Sequence, residues 1–213
     1  MSIFYSYYYG SGYNHCVGYK YDCHALNVAP VANNNCFSGC EDVPVVISAA
    51  SLLNNDIEKN NNKLSITSVQ GALNGTVSLI NGNVTFTPIA NYNGPASFTY
   101  TISNGKGGTS TATVNLSISP INDRPDAVID NITAIVPGVV TIDAATLLAN
   151  DTDVDGDKLT ITSVQCATNG KVALVNGKVV FTPNAGYSGP ATFTYTISDG
   201  KGGCGNASSD TAT

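Results

Sequence analysis

The sequence is poor in charged residues, and this scarcity excludes one large class of partners. Only 11% of the 213 residues are Asp, Glu, Lys or Arg, against about a quarter in typical soluble domains. The net charge is −6, and no stretch gathers basic side chains. A protein that binds nucleic acid neutralises phosphates with such side chains, so we expect no nucleic-acid partner.

Long apolar runs are also missing. No stretch approaches the roughly 18 apolar residues of a membrane-spanning helix, so no transmembrane segment is predicted. The opening MSIFYSYYYGSGYN lacks the basic start and continuous apolar core of a secretory signal. The composition otherwise predicts an extracellular or cell-surface protein. Either a precursor begins earlier, or the chain is exported by a route that needs no such signal.

Catalytic groups are equally scarce. The two histidines, His15 and His24, both lie near the N-terminus, and no motif pairs a nucleophile with a base. The GKGG sequences at 105–108 and 200–203 are interpreted as hairpin turns, because a phosphate-binding loop would be followed by a helix. We therefore predict that the chain is not an enzyme.

The sequence contains an internal repeat, whose two copies lie at residues 52–108 and 147–203. Short runs such as NVTFTP and ASFTYTIS alternate apolar and polar residues, as half-buried strands do. Asn81-Gly82 and Asn176-Gly177 separate two such runs in each copy and indicate tight hairpins. The pattern predicts an all-β fold of two tandem Ig-like antiparallel β-sandwiches. The predicted divisions are an N-terminal extension, repeat 1, a linker and repeat 2, at residues 1–29, 30–120, 121–125 and 126–213.

Three stretches carry a family resemblance: LLANDTDVDGDKLTITSV, GKVVFTPNAGYSGPATFTYTISDGKGG and INDRP. They resemble the cadherin-like, Ig-like tandem repeats of large bacterial adhesins and surface proteins. The resemblance covers residues 30–213 and leaves the Tyr- and Cys-rich residues 1–29 unmatched. It implies a cadherin-like β-sandwich fold, an extracellular place, calcium at loops and module junctions, and a structural or adhesive role.

An acidic loop, DTDVDGD, is the strongest candidate for a metal site. Its carboxylates alternate around Gly156, in the order Asp151, Asp153, Asp155 and Asp157. Carboxylates spaced in this way converge on a hard cation such as calcium, and a solvated acidic turn is the alternative. The first copy has DIEKNNN instead, where Lys59 brings a positive charge, so no calcium is expected there. The resemblance adds the linker residues Asn122 and Asp123 as junction ligands.

Six cysteines indicate an oxidising destination. Cys166 and Cys204 replace Gly71 and Thr109 of the first copy. Two cysteines gained in one module predict a disulfide between them, and bonds to a neighbouring chain are the alternative. The other four cysteines, whose pairing stays open, are Cys16, Cys23, Cys36 and Cys40. A small loop closed between the last two, or zinc held by the first two with the histidines, are further alternatives.

The N-terminal extension, residues 1–29, begins with SIFYSYYY at residues 2–9, which has strong β propensity and no charge. The extension holds seven of the eleven tyrosines. If residues 2–9 were exposed to solvent they would be prone to aggregate, so we expect them to occupy a groove. The residues predicted to make this contact are Ile3, Phe4, Tyr5, Tyr7, Tyr8 and Tyr9.

The second copy looks unfinished. The first closes with STATVNLSIS at 110–119, whereas the second reaches SDTAT at 209–213. We therefore predict that repeat 2 lacks its final strand, which exposes backbone groups and apolar core. The sequence predicts a homopolymeric extracellular filament, in which the N-terminal strand of one subunit completes repeat 2 of the next. The alternative is a piece of a calcium-stiffened adhesin in which both repeats are spacers, and a surface receptor stays open.

Overall fold

A computed structural model describes residues 27–133 and 138–201, together with the backbone of residues 209–212. It contains two successive sandwiches built from small β-sheets, with only two short helices. The all-β class predicted from period-two alternation is confirmed. Neither helix in the described ranges has the length and apolar character needed to cross a membrane.

Repeat 1 consists of seven strands and one helical turn. They are β1 (Asn35–Cys40), β2 (Val45–Ser48), α1 (Ala49–Leu53), β3 (Ser65–Leu73), β4 (Gly75–Ile80), β5 (Asn83–Pro88), β6 (Gly94–Ser103) and β7 (Thr109–Ser119). One sheet has the order β1-β7-β6-β3, and the other has the order β2-β5-β4. The pairing of β1 with β7 is parallel, and the remaining pairs are antiparallel.

The local sequence accounts for these elements. Asn81 and Gly82 both have positive φ, 52° and 80°, as the predicted hairpin between β4 and β5 requires. Ser48 begins α1 by accepting a hydrogen bond at its Oγ from Ser51 N, which satisfies one of the unpaired amides of the first turn. Alternate residues of β6 and β7 fill the core: Phe98, Tyr100, Ile102, Val114, Leu116 and Ile118.

Repeat 2 follows the same plan with shorter strands. Its elements are β8 (Val140–Asp143), α2 (Ala144–Leu147), β9 (Thr160–Gln165), β10 (Gly170–Val175), β11 (Lys178–Pro183), β12 (Thr194–Ser198) and β13 (Ser209–Ala212). The two sheets have the orders β10-β11-β8 and β13-β12-β9.

The final strand of repeat 2 is present in part, which corrects the prediction that it is missing. Within β13, Ser209 pairs with Ser198 and Ala212 pairs with Tyr195. The corresponding pairs in repeat 1 join β7 to β6 at Thr109–Ser103 and Ala112–Tyr100. The four residues that begin the strand are therefore in place. The described residues contain no counterpart of its second half, residues 114–119 of repeat 1.

This half-strand limits the rest of repeat 2. Strand β6 spans ten residues because β7 pairs with all of it, whereas β12 spans five. Residues 189–193, which correspond to the first half of β6, form no described strand. Among the described residues, six apolar side chains are buried in repeat 2 and twelve in repeat 1. In the part of the chain that the structure describes, repeat 1 forms a closed sandwich, whereas residues 189–193 of repeat 2 have no strand on one side.

Candidate metal centre

The acidic loop of repeat 2 brings three carboxylates together. Oxygen atoms of Asp153, Asp155 and Asp157 lie within 4.8 Å of one another. Asp153 Oδ1 fixes the loop by accepting hydrogen bonds from Asp155 N at 3.0 Å and Asp157 N at 3.1 Å. Gly156 has φ of 77°, a conformation that glycine adopts without steric cost. Three of the four predicted aspartates thus converge.

The linker between the repeats lies against this loop. Asp123 N donates to Asp155 Oδ2 at 2.7 Å, and Asn122 Nδ2 donates to Asp199 Oδ2 at 2.8 Å. Asp199 follows the end of β12 and is 6% exposed. The predicted junction residues Asn122 and Asp123 are therefore next to the loop, and Asp199 adds a fourth carboxylate.

Repeat 1 supplies a further buried carboxylate. Glu41 is 1% exposed; its Oε1 accepts from Ile121 N at 2.7 Å and its Oε2 from Asn93 Nδ2 at 3.3 Å. Burial raises the pKa of Asp123 above its usual value, and nearby carboxylates raise it further. These carboxylates belong to Asp42, Asp155, Glu41 and Asp153. The crowding of negative charge extends across the junction.

The donor set fits a hard cation. Lys201 Nζ lies 3.1 Å from Asp157 Oδ1 and balances one charge. Asp153 Oδ2 is buried and has no hydrogen-bond partner among the described residues, a costly state for a carboxylate oxygen unless a cation faces it. Calcium takes six to eight oxygen ligands, which carboxylates of this density supply. The residues suited to hold it are Glu41, Asp123, Asp153, Asp155, Asp157 and Asp199.

Asp151, predicted as the first ligand, lies apart from the other three. It is 9% exposed, and its Oδ1 accepts from Val128 N at 2.8 Å and from the Tyr195 hydroxyl at 3.2 Å. Asp56 of repeat 1 does the same, accepting from Asn33 N at 2.8 Å and the Tyr100 hydroxyl at 3.0 Å. Because repeat 1 keeps this aspartate without an acidic loop, we assign Asp151 a structural role.

Replacing Asp151 with alanine should destabilise repeat 2 without weakening cation binding. The change removes the acceptor of Val128 N and of the buried Tyr195 hydroxyl, which costs about 1–3 kcal/mol. Urea unfolding should show this loss, while calorimetric titration should give a calcium affinity within twofold of wild type. Asp56→Ala is the matched control and should cost repeat 1 a similar amount. Loss of calcium binding with unchanged stability would return Asp151 to the ligand set.

At the corresponding end of repeat 1, side-chain amides form hydrogen bonds at the positions where repeat 2 has carboxylates. Val28 N donates to Asn60 Oδ1 at 2.8 Å, the counterpart of the bond from Asp123 to Asp155. Asn104 stands where repeat 2 has Asp199, and its Nδ2 donates to Asn27 Oδ1 at 2.8 Å, Val28 O at 3.1 Å and Glu58 Oε1 at 3.3 Å. All three of these oxygens therefore accept hydrogen bonds from the side-chain nitrogen of Asn104. Lys59, the residue used to predict the absence of calcium here, is exposed.

Four residues of the junction were missed from the sequence: Glu41, Asp42, Asn93 and Asp199. A comparison of the two copies carries the signal for three of these four positions. Glu41-Asp42 corresponds to Val136-Pro137, and Asp199 replaces Asn104. Acidic residues present in only one copy, at the end where the copies meet, indicate a shared site.

The cysteines that the structure describes are free and exposed: Cys36, Cys40 and Cys166. Cys36 and Cys40 both lie on β1, where four residues span about 13 Å. Bridged Cα atoms lie within about 7 Å, so the small loop suggested for this pair is excluded. Cys16, Cys23 and Cys204 lie outside the described residues, as does the predicted contact segment of residues 3–9. The Cys166–Cys204 bond and the strand-forming tail stay predictions.

Comparison with known proteins identifies relatives of both repeats. The model of a family described as "Cadherin-like domain" matches residues 26–119 and 121–213. A search of curated protein sequences gives no match.

Three solved structures are among the matches. Extracellular domains 1–4 of protocadherin gamma B7 share 17% identity, with 86% of this chain and 48% of that chain covered and a TM-score of 0.45. Mouse cadherin-23 EC22–24 shares 11% identity, with coverages of 86% and 64% and a TM-score of 0.39. A glycoside hydrolase family 107 endo-fucoidan hydrolase variant shares 20% identity, with coverages of 86% and 28% and a TM-score of 0.38. The chain thus spans between 28% and 64% of these three.

Proposed function

The chain belongs to the cadherin-like domain family, and from this membership we propose that it is a structural subunit of an extracellular or cell-surface filament. Tandem domains of this family suggest an adhesive or structural role outside the cell. In our proposal, copies join head-to-tail, and a strand from residues 1–29 of one subunit enters the open side of repeat 2 in the next. The role is non-catalytic.

The observation that carries this proposal is the open groove of repeat 2. A cavity of about 920 Å³ lies in this repeat, lined by residues of β8 and β11 and by the segment 184–193. Its apolar lining includes Ile132, Val140, Phe181, Ala191 and Phe193. In repeat 1 the equivalent residues are Phe37, Val45, Phe86, Ala96 and Phe98, and they pack around Val114, Leu116 and Ile118 of β7.

An exposed groove of this kind favours strand addition. Residues 189–193 have no strand beside them on the groove side in the part of the chain that the structure describes. Unpaired strand edges bind extended peptides through main-chain hydrogen bonds, with side-chain pockets adding specificity. Because the donor and the groove are different surfaces, the contact is heterologous and propagates into a fibre.

Calcium at the junction has a separate task in this proposal. When bound, it supplies positive charge that offsets the repulsion among the junction carboxylates. Glu41 comes from repeat 1, Asp123 from the linker and Asp153 from repeat 2. Ligands from repeat 1, the linker and repeat 2 would restrict bending between the repeats, as a filament under tension requires.

Electron microscopy of the purified chain tests the polymer. Wild type should form uniform filaments, and a variant lacking residues 1–12 should stay monomeric. A variant in which Gly and Ser replace these residues controls for length and should also stay monomeric. Filaments that persist after the deletion would refute strand donation. A wild-type chain that stays monomeric, with its groove filled by sequence continuing beyond residue 213, would favour the spacer role in a longer adhesin.

A further inference from the structure

We infer that residues 2–9 of a second copy enter the repeat 2 groove antiparallel to residues 189–193, with Ile3, Tyr5 and Tyr7 facing the core. The inference rests on the proposed function. It adds the identity of the inserted segment, its direction, and the side chains that face inwards.

Repeat 1 provides a template for direction and facing. There, β7 runs antiparallel to β6, with Val114 opposite Phe98, Leu116 opposite Ala96 and Ile118 opposite Gly94. The three β7 side chains are at most 3% exposed, while the alternating Asn115 and Ser117 point away from the core. A strand that completes a sandwich of this kind therefore needs apolar residues at three alternate positions that face the core, and it tolerates polar residues at the positions between them.

The groove of repeat 2 offers the same positions to a strand. Gly189, Ala191 and Phe193 line the cavity at the places of Gly94, Ala96 and Phe98. The opposite edge of this segment is already occupied. Thr168 N donates to Thr192 O at 2.7 Å, and Asn169 Nδ2 donates to Pro190 O at 3.1 Å. An added strand therefore has only the groove side available along residues 189–193.

The course of β13 fixes the direction of the added strand. Ser209–Ala212 run antiparallel to β12 and end opposite Tyr195, two residues before the open segment begins. A strand beside residues 189–193 continues this line, as the second half of β7 does in repeat 1. On its far side it would meet Ile132, which is 42% exposed and stands where repeat 1 has Phe37. In repeat 1, Phe37 pairs with Leu116 in the parallel β1–β7 ladder.

The alternation of the N-terminal segment decides which residues face inwards. One set is Ile3, Tyr5, Tyr7 and Tyr9, which is apolar or aromatic throughout; the other is Phe4, Ser6, Tyr8 and Gly10. Successive side chains of a strand point to opposite faces, so the unbroken set matches the inward set of β7. The segment carries no charge, which suits an apolar groove.

Reach favours a second copy over the chain's own tail. Asn27 lies at the far pole of repeat 1, hydrogen-bonded to Asn104 just beyond β6. The ten residues of β6 span about 30 Å, and the segment from Asp199 back to Phe193 spans about 20 Å more. Residues 10–26 reach at most about 60 Å when fully extended. Insertion in the same chain would need an almost fully stretched connection, whereas a second copy carries no such restraint.

Two aspartate substitutions test the facing of the segment. Tyr5→Asp places a charge inwards, and Tyr8→Asp makes the same chemical change on the outward face. We expect Tyr5→Asp to raise the critical concentration for filament formation at least tenfold, and Tyr8→Asp to change it less than threefold, by sedimentation. Circular dichroism checks that both variants keep their strand content. Equal effects of the two substitutions, large or small, would overturn the assigned facing.

A mixing experiment tests whether the strand comes from another copy. Tyr5→Asp removes the donor and Ala191→Arg blocks the groove, so each variant alone should be monomeric. Mixed, they should form a one-to-one dimer, because each supplies the part that the other lacks. A mixture that stays monomeric would overturn insertion from a second copy. A wild-type chain that forms no filaments would instead refute the proposed function itself, so the two failures are distinguishable.

Discussion

Calcium chelation is expected to lower the melting temperature of repeat 2 by roughly 15 °C or more, and to lower that of repeat 1, which supplies only Glu41, by much less. Free calcium at a thousand times its dissociation constant stabilises a folded site by about 4 kcal/mol. In a domain of 60–100 residues, each kcal/mol shifts the melting temperature by roughly 4–8 °C. The acidic loop lies in repeat 2, whereas the matching oxygens of repeat 1 receive the Asn104 amide. Scanning calorimetry with and without a chelator measures both transitions.

Matched substitutions separate the two poles. Asp153→Asn removes the carboxylate whose Oδ2 is buried without a partner among the described residues. This variant should melt at nearly the same temperature with and without calcium. Glu58→Gln makes the corresponding change in repeat 1, where the carboxylate accepts from Asn62 N and Asn104 Nδ2, and should preserve the calcium response of repeat 2. Equal losses in both repeats on chelation would contradict the assignment of the main ligands to the acidic loop of repeat 2.

Truncation of equivalent phenylalanines should cost the two repeats very different amounts. Phe98 is 0% exposed beneath β7, and Phe98→Ala should lower the unfolding free energy of repeat 1 by about 3–5 kcal/mol. Phe193 is only partly buried at the edge of the groove, so Phe193→Ala should cost roughly 1–2 kcal/mol. Both rings stack on a second phenylalanine, at centroid distances of 6.0 and 6.3 Å. The expected difference in unfolding free energy therefore comes from the absence of a strand over Phe193 among the described residues.

Urea unfolding of both variants without residues 1–12 measures these costs in the unassembled chain. The deletion removes the proposed donor, so repeat 2 stays open in every molecule. Similar costs for Phe98→Ala and Phe193→Ala would show that the two cores are equally closed and would contradict the open groove. In assembled wild-type length chains, Phe193→Ala should become as costly as Phe98→Ala, because an inserted strand would complete the burial of the ring.

The fold could be predicted because its determinants are local. Alternation in NVTFTP and ASFTYTIS fixes which face of each strand is buried, and Asn81-Gly82 selects a tight hairpin through its positive φ values. Neither property depends on distant residues. The register between the copies also revealed that the second closes differently from the first. It did not show that Ser209–Ala212 still begin the closing strand, because the connection before it is longer than in repeat 1.

The metal centre was only partly predictable. Carboxylates at alternate positions of one loop are visible in the sequence, and three of them converge. Asp151 belongs to the same sequence motif, yet its side chain accepts a hydrogen bond from Tyr195, 44 residues away. Glu41 was overlooked because its partner, Ile121 N, lies 80 residues along the chain. Contacts at such separations depend on how strands pair, which spacing within a motif does not reveal.

The all-β class, the two-copy plan, the hairpin turns and the acidic loop can be predicted from the sequence, since each follows from side-chain period or backbone preference within a few residues. Which carboxylates share the junction, how Asn104 occupies the other end of repeat 1, and where the groove of repeat 2 lies became clear from the packing of the sheets. These features depend on burial, and burial is set by residues that meet only after the sheets have formed. The same aspartate is a ligand candidate at 153 and a structural acceptor at 151 because different neighbours surround it.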